Sequence, residues 1–196
     1  MTCPSRPAQN PRPAWPSPGL VLVAPGGVCT ADGQRLADLL GLRVIDGGAM
    51  FQADPNGALA ELVAEPSGWL LPLELDPGAA LACSGCWSEA LAAWRQPVVL
   101  QLPAAQAATG PARAYVALLK DDGVPLVGAV QLGQPWQPAQ RRADGLPWLG
   151  CLPLEGVASE AAAVDGEQAR QELRLNLLVR WQLSSARGCA PEHPVP

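Results

Sequence analysis

Leu126–Leu132 (LVGAVQL) and Leu146–Pro153 (LPWLGCLP) are apolar runs too short for buried helices and bounded by proline or glycine, so they read as buried strands. Four more runs upstream have the same character: Gly19–Ala24 (GLVLVA), Leu42–Asp46 (LRVID), Gly68–Leu73 (GWLLPL) and Pro97–Leu102 (PVVLQL). Pro72 must close its strand, because proline brings no donor to a ladder. Between the strands lie stretches of helical composition. Ala31–Leu40 follows Thr30 as a cap and stops at Gly41. Gly57–Ala64, Ala79–Trp94, Gly110–Lys120 (ended by Gly123) and Glu155 to about Leu183 are the others, with Gln134–Gly145 a polar loop. Strands alternating with helices predict an α/β fold: a parallel sheet with helices on both faces. Ligands of such sheets sit at strand carboxyl ends, here Ala24–Thr30, Asp46–Gly48, Leu73–Asp76, Leu102–Ala107, Leu132–Trp136 and Pro153–Gly156.

Composition narrows the function classes. The 196 residues carry a net charge of −5, and only 13 are Lys or Arg, with Arg141-Arg142 the one adjacent pair. That excludes a phosphate-backbone surface, so no nucleic-acid partner is expected. No run approaches a membrane span, so no membrane partner is expected either. Residues 1–18 and 184–196 are Pro-rich and polar, and read as a disordered leader and tail flanking one domain over 19–183. The six cysteines are too dispersed for a disulfide framework, which predicts reduced thiols and a cytosolic protein.

Ser67–Gly156 resembles the dethiobiotin synthase family. Ser67-Gly68-Trp69-Leu70-Leu71-Pro72-Leu73 is similar to its Gly-Gly-Trp-x-x-Pro-Leu strand. Pro97–Leu102 matches its Pro-Val-Ile/Val-Leu-Val, Gly123–Val130 its Gly-Leu-x-Leu-Ala-Gly-x-Val, and Leu146–Pro153 its Pro-x-Leu-Gly-x-x-Pro. The resemblance implies a P-loop NTPase-like sheet, an ATP- and magnesium-dependent ring closure in biotin biosynthesis, and a homodimer. The family's phosphate loop, Gly-Thr-Asp-Thr-x-Val-Gly-Lys-Thr, falls on Ala24–Asp32 (APGGVCTAD). There its lysine becomes Ala31 and its magnesium-holding threonine becomes Asp32. Its metal-binding glutamate falls on Ala64, with Glu65 one residue late, and its base-contacting asparagine on Leu132. The segment between phosphate loop and tryptophan strand is also short here, only Gly33–Ala64.

The resulting expectation is a catalytically degenerate relative acting as a binding or structural module. The alternatives are an ATP- and Mg-dependent ligase with a non-standard loop, or a sensor of small anions. The candidate site is Gly26, Gly27, Val28, Cys29 and Thr30, a glycine turn entering a helix N-terminus where backbone N–H groups meet the helix dipole. No catalytic or metal residue and no cofactor is assigned. Asp32, Asp46, Asp54, Glu65 and Glu74 read as caps, turns or solvated acids, although gathered at strand ends they could hold magnesium. Cys83 and Cys86 read as packed thiols inside the Ala79–Trp94 helix rather than a redox pair. His193, the one histidine, falls in the tail, which disfavours histidine-based catalysis. Trp15 and Trp136 read as loop anchors, the other tryptophans as core or interface.

Overall fold

The computed structural model describes residues 19–46, 48, 53–66, 68–82, 85–133, 135–153 and 160–188. The Pro-rich leader with Trp15, Cys83, residues 189–196 with His193, and the start assigned to the last helix at Glu155 lie outside the described residues.

Six strands form one parallel sheet: β1 (Gly19–Val23), β2 (Arg43–Val44), β3 (Trp69–Pro72), β4 (Val98–Pro103), β5 (Leu126–Leu132) and β6 (Trp148–Leu152), in the order β2-β3-β1-β4-β5-β6. Seven helices accompany them among the described residues: α1 (Thr30–Leu40), α2 (Pro55–Ala64), α3 (Trp87–Ala93), α4 (Ala104–Ala107), α5 (Gly110–Asp121), α6 (Pro138–Ala143) and α7 (Glu160–Gly188). The α/β class read from the strand runs is the observed one.

Handedness explains the layering. Only the β1-to-β2 connection moves leftward along the sheet, and right-handed crossovers therefore put α1 on the face opposite the other crossover helices, while α7, which follows the last strand, returns to the α1 face. The side chains follow. Val21 and Val23 point into a core with Leu59, Trp87, Leu91, Val116 and Leu119 from α2, α3 and α5. Leu20 and Leu22 point the other way, against Leu36 and Leu40 of α1 and Leu173, Leu177 and Trp181 of α7. Strand β1 stands where the direction of winding reverses, so the loop after it opens at the sheet's switch point.

Pro72 is tolerated in a buried strand because of register. Leu73 N–H donates to Leu22 of β1, so the missing Pro72 N–H faces β2, whose two residues have already ended. Gly19 lies against the fully buried Trp69 indole, and a Cβ there would overlap the ring. Gly19→Ala is expected to lose about 1–3 kcal/mol through overpacking, read as a lower urea midpoint with an unchanged slope.

Four expectations are corrected. The helix foreseen over Ala79–Trp94 begins only at Trp87. Asp76 caps a turn through Gly78, and Gly85 adopts a left-handed conformation with φ +63° that a helix interior excludes. Cys86 is therefore the N-cap rather than a helix-interior residue, its N–H donating to Glu89 at 3.1 Å. The loop Gln134–Gly145 contains α6, started by Pro138 at its first turn. Thr30 is the first residue of α1 rather than its cap, which is Cys29, and α7 continues past Leu183 to Gly188.

Candidate functional site

The five candidate residues stand together at the carboxyl end of β1. Gly26 (φ +78°) and Gly27 (φ +98°) turn the chain, Val28 buries its side chain, and Cys29 and Thr30 are exposed at the head of α1. Three of the loop's donors are directed inward. Gly27 N–H donates to Ala24 O at 3.0 Å and Val28 N–H to Leu73 O at 2.6 Å. Gly26 N–H donates to the Asp76 carboxylate at 2.9 Å. A Cβ on Gly27 would collide with the Glu74 carbonyl, so glycine is required there by space as well as by φ. The turn is thus fastened to the segment after β3, and an internal carboxylate sits on an N–H group that would otherwise face an anion.

Asp76 is the hub of that fastening. Its carboxylate accepts from Tyr115 Oη and from the N–H groups of Gly26 and Gly78. Burial pushes its pKa up, but the Tyr115 hydroxyl and the two N–H donors outweigh this and hold it below the ordinary 3.8. The stability it contributes is present above the ordinary value and disappears as pH falls through the lowered one. Tyr115 moves the opposite way, to about 12, through burial, its hydrogen bond to Asp76, and the carboxylate's charge. That contribution is complete below the ordinary 10.0 and is lost as pH rises through about 12. Tyr115 is the chain's one tyrosine. An ultraviolet phenolate titration therefore reads it alone and should give a midpoint near 12, lower in Asp76→Asn but still above the ordinary 10.0 because burial remains. A wild-type midpoint near 10 would show that the Tyr115–Asp76 contact does not form in solution.

The acids foreseen at strand ends are separately employed. Asp32, in the first turn of α1, pairs with Arg35 and accepts from Gln101 Nε2 at 3.3 Å. Arg35 also donates to Pro153 O at 3.2 Å, tying α1 to the end of β6. Gln101 is 3% exposed, and its Oε1 has no partner among the described residues. Thr30 Oγ1 donates to Glu74 at 3.2 Å. Asp46 accepts from Gly48 N–H, Asp54 caps α2 through Gly57 N–H, and Glu65 pairs with Arg43 at 2.6 Å. Among the described residues no three His, Cys, Asp or Glu side chains form a group able to hold a metal. No described helix is long and apolar enough to cross a membrane.

Arg141 was not singled out from the sequence except as half of a basic pair. It is 5% exposed, donates through Nε and Nη2 to Gln131 Oε1 and through Nη1 to Ala107 O, and lies 4.9 Å from the Trp148 ring centroid. Trp136, expected as an exposed anchor, is half-buried edge-on to Trp148 with centroids 6.2 Å apart. Asp76, Tyr115 and Gln101 were equally unmarked as site residues. The only signal for Asp76 was its place at the end of β3.

A comparison of the chain with protein-family models finds no match, and a comparison with curated protein sequences finds none either.

Proposed function

We propose that the protein is a catalytically degenerate dethiobiotin synthase-like domain of P-loop NTPase-like ancestry, serving as a binding or structural module and pairing as a homodimer. An all-parallel sheet with a Gly-Gly turn leading from its first strand into a helix agrees with that ancestry. The observation that carries the loss of catalysis is the Asp76 carboxylate on the Gly26 N–H. It fills an anion's place with the chain's own anion. Ala31 stands where the family has lysine, and Asp32 is engaged with Arg35 where a magnesium-holding threonine would be. Glu74 beside Thr30 adds a further negative charge to the same loop. A nucleotide phosphate brought here would meet three carboxylates and no free ammonium group among the described residues. The homodimer rests on the exposed Leu175, Val179 and Leu183 of α7, an apolar stripe facing away from the sheet.

The reading is tested by assaying the purified chain for ATP-dependent carboxylation and ring closure of a vicinal diamine, with ATP hydrolysis followed in parallel. Turnover at background level is the expected result. Sustained magnesium-dependent turnover that is lost in Gly27→Val would overturn it in favour of a ligase with a non-standard loop.

A further inference from the structure

A cavity of about 400 Å³ opens between α1 and α7, beside the carboxyl end of β6 and apart from the Gly26-Gly27 turn. Three arginines line it: Arg35 from α1, and Arg170 and Arg174 from α7. All three are half-buried. In α7, Glu167, Arg170 and Arg174 recur at helical spacing, so one face of the helix delivers them to the same space. Leu39, Leu152 and Pro153 supply an apolar wall.

The charges are unevenly satisfied. Arg35 is held by Asp32 and Pro153 O, which fixes its guanidinium at the cavity edge. Arg170 has only a long contact, 3.8 Å, to the well-exposed Glu167. Arg174 has no hydrogen-bonding or ion-pair partner among the described residues. Asp38 and Glu167 line the cavity as well, so three arginines face two carboxylates for a net charge of +1, and the forked donors of Arg174 are left unused and open to an anion. The chain as a whole is acidic at −5, so this concentration of arginine is local and not a reflection of composition. Arginine forks suit tetrahedral phosphate oxygens, and the volume falls within the range of small-molecule sites.

We propose that this cavity binds a small organic phosphate, its phosphate held by Arg170 and Arg174 and its carbon portion laid against Leu39, Leu152 and Pro153. The inference is independent of the proposed ancestry, because none of these residues belongs to the glycine turn.

The test is a thermal-melt titration of the full chain with inorganic phosphate and with glycerol phosphate, against sodium chloride at matched ionic strength. A saturable rise in melting temperature is expected, with half-saturation at about 1 mM or below and tighter for glycerol phosphate. Arg174→Ala and the milder Arg174→Gln should each weaken it at least about tenfold while leaving the circular dichroism unchanged. Arg180→Ala, on the same helix but outside the cavity, should leave it intact. A response no larger than that to chloride, or one that survives both Arg174 variants, overturns the site. Citrate acting as strongly as glycerol phosphate overturns the ligand class.

Discussion

Replacing Arg141 with alanine is expected to remove about 3–5 kcal/mol of stability, a large part of the roughly 5–15 kcal/mol a domain possesses. The guanidinium is buried and supplies both hydrogen bonds to Gln131 Oε1 and one to Ala107 O. Removing it leaves acceptors at the ends of β5 and α4 without the donors that compensated their burial. It also uncovers one face of Trp148 and leaves Asp144, 3.6 Å from Nη1, with less counter-charge. Arg141→Lys should rescue little, since one ammonium cannot reproduce a fork that reaches two carbonyl oxygens from different elements. Urea unfolding measures this directly. A loss below about 1 kcal/mol for the alanine variant would show that water replaces the guanidinium without penalty.

The same residue shows why part of the structure was hidden in the sequence. Polar residues and two adjacent arginines between two strands read as solvated loop, because nothing local indicates burial. Arg141 is buried by Gln131 and Ala107, ten and 34 residues away. Strands, by contrast, were legible because a parallel sheet covered on both faces requires continuous apolar runs. Where the reading of the Ala79–Trp94 helix failed, composition favoured helix while a turn at Asp76 and a left-handed glycine at 85 overrode it.

Trp181→Asp is expected to abolish cooperative folding, whereas Val179→Asp should leave the fold intact. The two positions are only two residues apart, but they lie about 200° apart around a helix of 3.6 residues per turn. Leu173, Leu177 and Trp181 are fully buried against the sheet. Leu175, Val179 and Leu183 are each about half exposed, at 51%, 55% and 52%. The sequence reads Trp181 as core or interface, and the structure places it on the inward seam. A charge at 181 combines loss of a large core side chain, worth about 3–5 kcal/mol, with burial of an unpaired carboxylate. Circular dichroism should show the Trp181 variant unfolded. Light scattering should show Val179→Asp folded and monomeric beside a dimeric parent. A parent that is monomeric at high concentration ends the dimer proposal, and a Val179 variant that unfolds would make the outward seam structural.

At the glycine turn, the positions were legible and the partners were not. Gly26 and Gly27 announced a tight turn after an apolar strand, and both adopt positive φ. The carboxylate that meets Gly26 lies fifty residues downstream in a short turn with no motif of its own. Ala31 and Asp32 differ visibly from a phosphate loop, and the Asp32–Arg35 pair lies within one helical turn, but the contact of Asp32 with Gln101 depends on the first turn of α1 meeting β4, which only the assembled sheet provides.

If the proposed reading of this turn holds, it does not grip a nucleotide phosphate. The direct measurement is an isothermal titration of the full chain with Mg-ATP, run beside Arg174→Ala to remove any contribution from the arginine cavity. No saturable heat in the micromolar range is expected for either protein. A low-micromolar affinity that persists in Arg174→Ala would contradict it.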